Sequence, residues 1–140
     1  MGSFNWYKVV ALLAVFGIGL AVYLFYEYLT PPHRSLCFVN STINCEASTK
    51  GPLANTLGIP TALYGLAGYI VILLSALKKW PKLLLGTVTF GLFFCLRITY
   101  IEVFTLHSLC PVCLACQLVM LTLFGLSIKI LYDAKNPAAV

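Results

Sequence analysis

Residues 7–28 read YKVVALLAVFGIGLAVYLFYEY, an uninterrupted apolar run whose only charges are Lys8 at its start and Glu27 near its end. A helix crossing the roughly 30 Å hydrocarbon core of a bilayer needs about 20 mostly apolar residues, so this run alone makes one span. It is too long for a signal-peptide core and no small-residue cleavage site follows it, so the sequence predicts a span that is retained. Working outward, three further apolar runs cover about 59–77, 83–104 and 111–132. The chain is 61% hydrophobic and 9% charged, against about 25% charged in soluble domains. An ordinary soluble domain is therefore excluded, and four spans leave no room for a large catalytic domain outside the membrane. The net charge of +5 is spread along the chain and forms no dense basic patch of the kind that binds nucleic acid. The expected fold is all-α, a single membrane domain over residues 1–140 built as a four-transmembrane-helix bundle.

The connections carry the remaining information. Residues 29–58 hold Pro31, Pro32, Pro52, Asn40, Asn44, Asn55, Arg34, Glu46 and Lys50, and form the longest extramembrane loop. Lys78-Lys79-Trp80-Pro81-Lys82 is a short basic break, and the third connection, from Thr105 to Leu109, is equally short. Cytoplasmic connections retain an excess of Lys and Arg. Putting both termini and the basic break inside places Lys8, Lys78, Lys79, Lys82, Lys129 and Lys135 there, against Arg34 and Lys50 outside. The long first loop and the short third loop then share the outer face of a cell membrane, and the cysteines gather at that face.

Cys37 and Cys45 lie in the outer loop, and Cys110-Pro111-Val112-Cys113 opens the fourth span. An outward loop meets an oxidising compartment, where a disulfide persists; the loop pair alone is compatible with a structural staple. The C-x-x-C is more pointed. Cys110 occupies the N-cap position, Pro111 suits the first helical residue, and Cys113 falls in the first turn near the positive end of the helix dipole. That placement favours a reactive thiolate on Cys113. A structural zinc site needs four ligands, and only His107 and Cys116 lie near, so no metal is expected. Cys95 and Cys116, inside spans, read as packing residues. Two cysteine pairs on one membrane face suit a relay of electrons from a soluble dithiol to an acceptor dissolved in the bilayer, because thiol–disulfide exchange moves two electrons at a time.

The ordered set of Cys37 and Cys45, Leu57-Gly58-Ile59-Pro60-Thr61-Ala62-Leu63-Tyr64-Gly65 entering the second span, and Cys110-Pro111-Val112-Cys113 opening the fourth resembles the vitamin K epoxide reductase family in its compact prokaryotic form. In the other quinone-linked four-span thiol oxidases the C-x-x-C comes in the first outer loop and the spaced pair in the second, the reverse of the order here. The resemblance implies a bundle around a quinone of the ubiquinone, menaquinone or vitamin K type, with the first outer loop as a cap. It implies Cys37 and Cys45 as the relay pair, Cys110 and Cys113 as the quinone-facing centre, a transient bridge between Cys45 and Cys110, and a thioredoxin-like partner that supplies the electrons. The output would be disulfides for secreted proteins, made by a monomer.

Some positions depart from the family pattern. Many members carry Ser or Thr six residues after the second loop cysteine, where this chain has Gly51. The Asn and Tyr that hydrogen-bond the quinone oxygens in vertebrate members correspond to Thr61 and Gln117. Both can still donate a hydrogen bond, so they are the candidate quinone contacts, and the exchange argues against epoxide reduction as the native task. Arg97, about two turns inside the third span, is expected to snorkel outward with Glu102 as a possible neighbour. His107 reads as a solvated loop residue or a proton shuttle. Two other outputs stay open: reduction of an epoxide or quinone as the physiological task, and a small four-span transporter. Transporters usually hold an acidic residue near the midplane of a span, whereas Glu27 and Glu102 lie near span ends.

Overall fold

The computed structural model describes residues 5–31, 40, 42–43 and 55–136. Cys37, Cys45 and Gly51 lie outside the described residues, as does most of the loop 29–58.

Four helices make up most of the described chain: α1 (Trp6–Leu29), α2 (Thr61–Leu77), α3 (Pro81–Ile101) and α4 (Pro111–Lys135). Three are long and apolar enough to cross a membrane, α3 together with its continuation to Leu106; α2, at 17 residues, is a shorter apolar helix. It begins at Thr61 rather than Ile59 because the residues before it form a hairpin. There β1 (Asn55–Thr56) pairs antiparallel with β2 (Ile59–Pro60) through a turn with positive φ at both Leu57 (56°) and Gly58 (81°), the geometry of a tight primed turn. Pro60 then breaks the extended backbone and precedes the helix.

α3 starts with Pro81 at its first position, where a missing N–H costs nothing. It does not end in a simple cap. Glu102–Leu106 form a π-helical turn, and His107 closes it in the left-handed region at φ 50°, with the Ser108 N–H donating to the Glu102 carbonyl at 3.3 Å. Between that widened turn and α4 lie four residues, 107–110, one fewer than the five expected for the connection Thr105 to Leu109.

α1 packs chiefly on α2, and α3 chiefly on α4. Lipid offers no hydrophobic drive between helices, so close approach of small residues has to supply the packing. On α1 the buried residues are Val10, Ala14, Gly17, Ala21 and Glu27. The Tyr69 ring of α2 lies against Gly17, and its hydroxyl donates to the Cys116 carbonyl of α4 at 3.4 Å. Ile72 and Ala76 of α2, Leu84, Val88 and Leu92 of α3, and Val119, Met120, Leu123 and Ile130 of α4 complete the core. Large apolar side chains such as Leu12, Phe16, Phe90, Phe93 and Leu118 face outward, as expected where the surroundings are hydrocarbon. The membrane-depth hydroxyls of Ser75, Thr89, Thr122 and Ser127 donate to carbonyls one turn back, which satisfies them within their own helices. Lys78 stacks on Trp80 and Lys129 on Trp6, an aromatic and basic band at the end of the bundle opposite Cys110. Interfacial Trp and Lys anchors of this kind mark a membrane boundary.

Candidate functional site

The site is built at the start of α4. Cys110 has extended backbone (φ −96°, ψ 114°) and stands as the N-cap, Pro111 is the first helical residue, and the Leu114 N–H donates to the Cys110 carbonyl at 3.1 Å as the first helical bond. Cys110 is fully buried against Leu24 of α1 and against Val112 and Cys113. Cys113 is one turn further in and half-buried, and no disulfide joins the two.

The Cys113 thiol, hydrogen-bonded to the Cys110 sulfur, holds Cys110 below the ordinary thiol range; the backbone N–H groups of Cys113 and Val112 act in the same sense, while burial and the Glu102 carboxylate oppose them. The sequence expectation put the stabilised thiolate on Cys113. The N–H groups of Val112 and Cys113 instead act on the N-cap sulfur, without a formed side-chain cap hydrogen bond, so Cys110 is the favoured thiolate of the reduced pair. A small neutral alkylating reagent should accordingly modify Cys110 at a lower pH than it modifies a cysteine in the denatured chain, read by peptide mass mapping across a pH series. Half-modification of Cys110 at or above the denatured-chain value would contradict this assignment.

A cavity of about 640 Å³ runs between α2, α3 and α4. Its wall includes Thr61, Tyr64, Gly65 and Gly68 of α2, Gly86, Cys95 and Thr99 of α3, and Cys113, Cys116 and Met120 of α4. The size lies within the usual range for small-molecule pockets, and the wall is almost wholly apolar. Cys113 borders it and Cys110 does not, so the two thiols face different surroundings. Cys95 and Cys116, expected as packing residues, stand in the cavity wall. The structure brings Thr61 and Cys113 to the same cavity but not Gln117. That side chain is buried one turn below Cys113, outside the wall, and its amide has no hydrogen-bond partner among the described residues.

One described fragment of the outer loop touches the site. Asn40 Oδ1 accepts from the N–H groups of Thr42 and Ile43 at 2.9 and 2.8 Å, and the Leu109 N–H donates to the Thr42 carbonyl at 2.7 Å. Ile43 and Leu109 pair as an isolated parallel bridge, which ties the loop to the residue before Cys110.

Two carboxylates missed as site residues lie beside the thiols. Glu102 is 0% and Glu27 2% exposed. The Glu102 carboxylate is within hydrogen-bonding reach of Cys113. Glu27 accepts from the Tyr23 hydroxyl at 2.9 Å, and Tyr23 in turn interacts with Cys110. The signal was present in the register: 10-14-17-21-24-27 on α1 and 84-88-92-95-99-102 on α3 are unbroken inward stripes at helical spacing, and each ends on a glutamate. Arg97 falls off its stripe and is exposed, while Glu102 is fully buried; His107 is exposed at the tip of the third connection. Among the described residues no three His, Cys, Asp or Glu side chains converge as metal ligands would.

A family model described as the vitamin K epoxide reductase family matches residues 8–128 of this chain. No curated protein matches it.

Proposed function

Because the chain belongs to the vitamin K epoxide reductase family, and is thereby a membrane oxidoreductase, we propose that it is a quinone-dependent thiol oxidoreductase that makes disulfides. In this reading the four helices span a cell membrane as a monomeric bundle, with both termini cytoplasmic and the thiols at the outer face. The basic band of Lys78, Lys79, Lys82 and Lys129 at the end opposite Cys110 supports that orientation. A thioredoxin-like partner passes its electrons to the Cys37–Cys45 disulfide, Cys45 exchanges with Cys110, and the reduced Cys110–Cys113 pair delivers two electrons across the cavity wall.

The observation that carries the reading is the position of Cys113, the one thiol of the C-x-x-C that borders an apolar cavity of ligand size. The chemistry of the wall fits a quinone: apolar over most of its area, with the Thr61 hydroxyl at the α2 start and a redox thiol at its edge. A bound quinone supplies the two-electron acceptor. On the loop side, Cys45 follows Ile43 by two residues, and two residues reach at most about 7 Å. The bond from Leu109 to Thr42 thus favours exchange with the buried N-cap thiol. The lowered thiol range of Cys110 makes it both the better attacking thiolate and the better leaving group.

The test is electron transfer by purified protein from a reduced thioredoxin-like dithiol to a short-chain quinone, with a vitamin K epoxide offered in parallel. Quinone-dependent oxidation of the dithiol is expected. Epoxide consumption without it would turn the output into reduction of the epoxide, and solute flux in proteoliposomes that survives loss of all four cysteines would favour a transporter.

Gly65 supplies a further check. It lines the cavity, and a Cβ added there meets nothing within 4 Å. Gly65→Leu should fold, since Leu is the better helix former, yet occupy the space of the acceptor. The quinone KM is expected to rise roughly 10- to 100-fold, the equivalent of 1–3 kcal/mol of overpacking, with Cys110 alkylation unchanged. An unaltered KM would move the acceptor elsewhere.

A further inference from the structure

Glu102 sits at the junction of α3 and the π-helical turn, fully buried, with its carboxylate in reach of the Cys113 thiol. π-helical turns inside helices are frequent at functional sites. Burying a carboxylate at this depth is expensive, and an apolar residue would continue the stripe of Leu84, Val88 and Leu92 at lower cost. Cys113 therefore stands between the Glu102 carboxylate and the cavity. Cys110 differs: it has the N-cap contacts, and its neighbour on the α1 side is Tyr23, held by Glu27. Among the described residues, the titratable groups facing the pair are Glu102 from α3, Tyr23 with Glu27 from α1, and Cys116 one turn below on α4. Of these carboxylates, only Glu102 contacts Cys113.

Resting on the reading that this thiol pair is oxidised by a quinone, we infer that Glu102 is a catalytic residue, the base that takes the Cys113 proton as the pair is oxidised. In the step, the S–H bonds of Cys110 and Cys113 break and one S–S bond forms. Two electrons leave the sulfurs for the quinone. The Cys113 proton passes to the Glu102 carboxylate and on to water at the outer face, and the Cys110 proton leaves from the more acidic thiol. Two protons taken up with the two electrons complete the hydroquinone. Without an adjacent base, Cys113 would have to ionise against an apolar wall and without the N–H groups that serve Cys110. A carboxylate in contact with the thiol gives the proton an acceptor as the S–S bond forms, and in the reverse direction Glu102 returns it to the sulfur.

The experiment uses full-length protein in lipid nanodiscs, reduced beforehand and mixed with a water-soluble short-chain quinone in a single turnover, with thiols trapped and mapped by mass spectrometry. Glu102→Gln, which keeps the shape and removes the charge, should slow Cys110–Cys113 disulfide formation by about 10²- to 10⁴-fold, the usual contribution of a positioned base. The variant should also lose the acid limb of the pH–rate profile, and Glu102→Asp, which keeps an acid, should restore part of the rate. A second readout needs no quinone. In the reduced protein, the one S–H proton of Cys113 is shared between the Cys110 sulfur and the carboxylate, and its infrared stretch should move in Glu102→Gln. Wild-type rate and pH profile in Glu102→Gln, or an S–H band that the substitution leaves in place, overturns the role of Glu102 while the quinone reading stands. A wild-type pair that quinone does not oxidise overturns that reading and the role with it.

Discussion

Cys113→Ala should abolish quinone-linked turnover, a loss of at least about 10³-fold of the size seen when an enzyme's reacting nucleophile is removed, while leaving the protein folded. Cys113 is half-buried at the cavity wall and an alanine occupies less space there, so packing changes little. The remaining thiol, Cys110, retains its N-cap position and its contact with Leu24. It can still attack the Cys37–Cys45 disulfide, but Cys113 is no longer there to displace Cys45 from it. With the loop disulfide as the oxidant, the variant should therefore accumulate a Cys45–Cys110 bridge, visible as a shifted band on a non-reducing gel. Cys110→Ala should behave differently: it loses the entry point for electrons, so no such bridge forms and Cys113 stays reduced. Unimpaired turnover in Cys113→Ala would remove the basis of the proposed mechanism.

Gly17→Ala should lower stability by roughly 1–3 kcal/mol, toward the upper end of that overpacking range, although alanine is intrinsically the better helix residue by about 1 kcal/mol. A Cβ at position 17 would come within 2.2 Å of the Tyr69 Cε1 atom. Tyr69 is 2% exposed, and its ring could yield only toward the cavity that it borders. Its hydroxyl is committed to the Cys116 carbonyl, so displacing the ring also disturbs α4 one turn below Cys113. The expected readout is a lower midpoint in thermal unfolding of the purified protein in detergent, with reduced quinone turnover. By contrast, Gly19→Ala should be tolerated, because nothing lies within 4 Å of a Cβ there. Equal midpoints for Gly17→Ala and Gly19→Ala would contradict the packing of α1 on α2.

Spacing in the sequence was enough to locate the C-x-x-C at a helix start, because Pro111 after a capping position is a local signal. It was not enough to assign the ionisation within the pair. Residues at N-cap and N3 both lie near the positive end of the dipole, and only the path of the backbone shows which sulfur the N–H groups surround. Glu27 and Glu102 illustrate a second gap. Their place near the span ends says nothing of the face that they occupy, whereas their helical register places them on the inward stripes. Register decides burial, and depth along the helix does not.

The apolar runs, the charge asymmetry and the order of the cysteines are properties of the one-dimensional chain. They dictated a helical membrane protein of this family, since the length of an apolar run and the sign of its flanks suffice to set which segments enter lipid. Which thiol borders the cavity, which glycines hold that cavity open, and which carboxylate touches which sulfur depend on how four helices rotate against one another. That rotation is fixed by contacts between residues far apart in the chain, Gly17 with Tyr69 and Tyr69 with Cys116, and no local pattern encodes them. The π-helical turn at Glu102 belongs with these: its sequence, EVFTL, straddles the expected end of the third span at 104, and the widened turn emerges only where α3 must meet the short connection into Cys110.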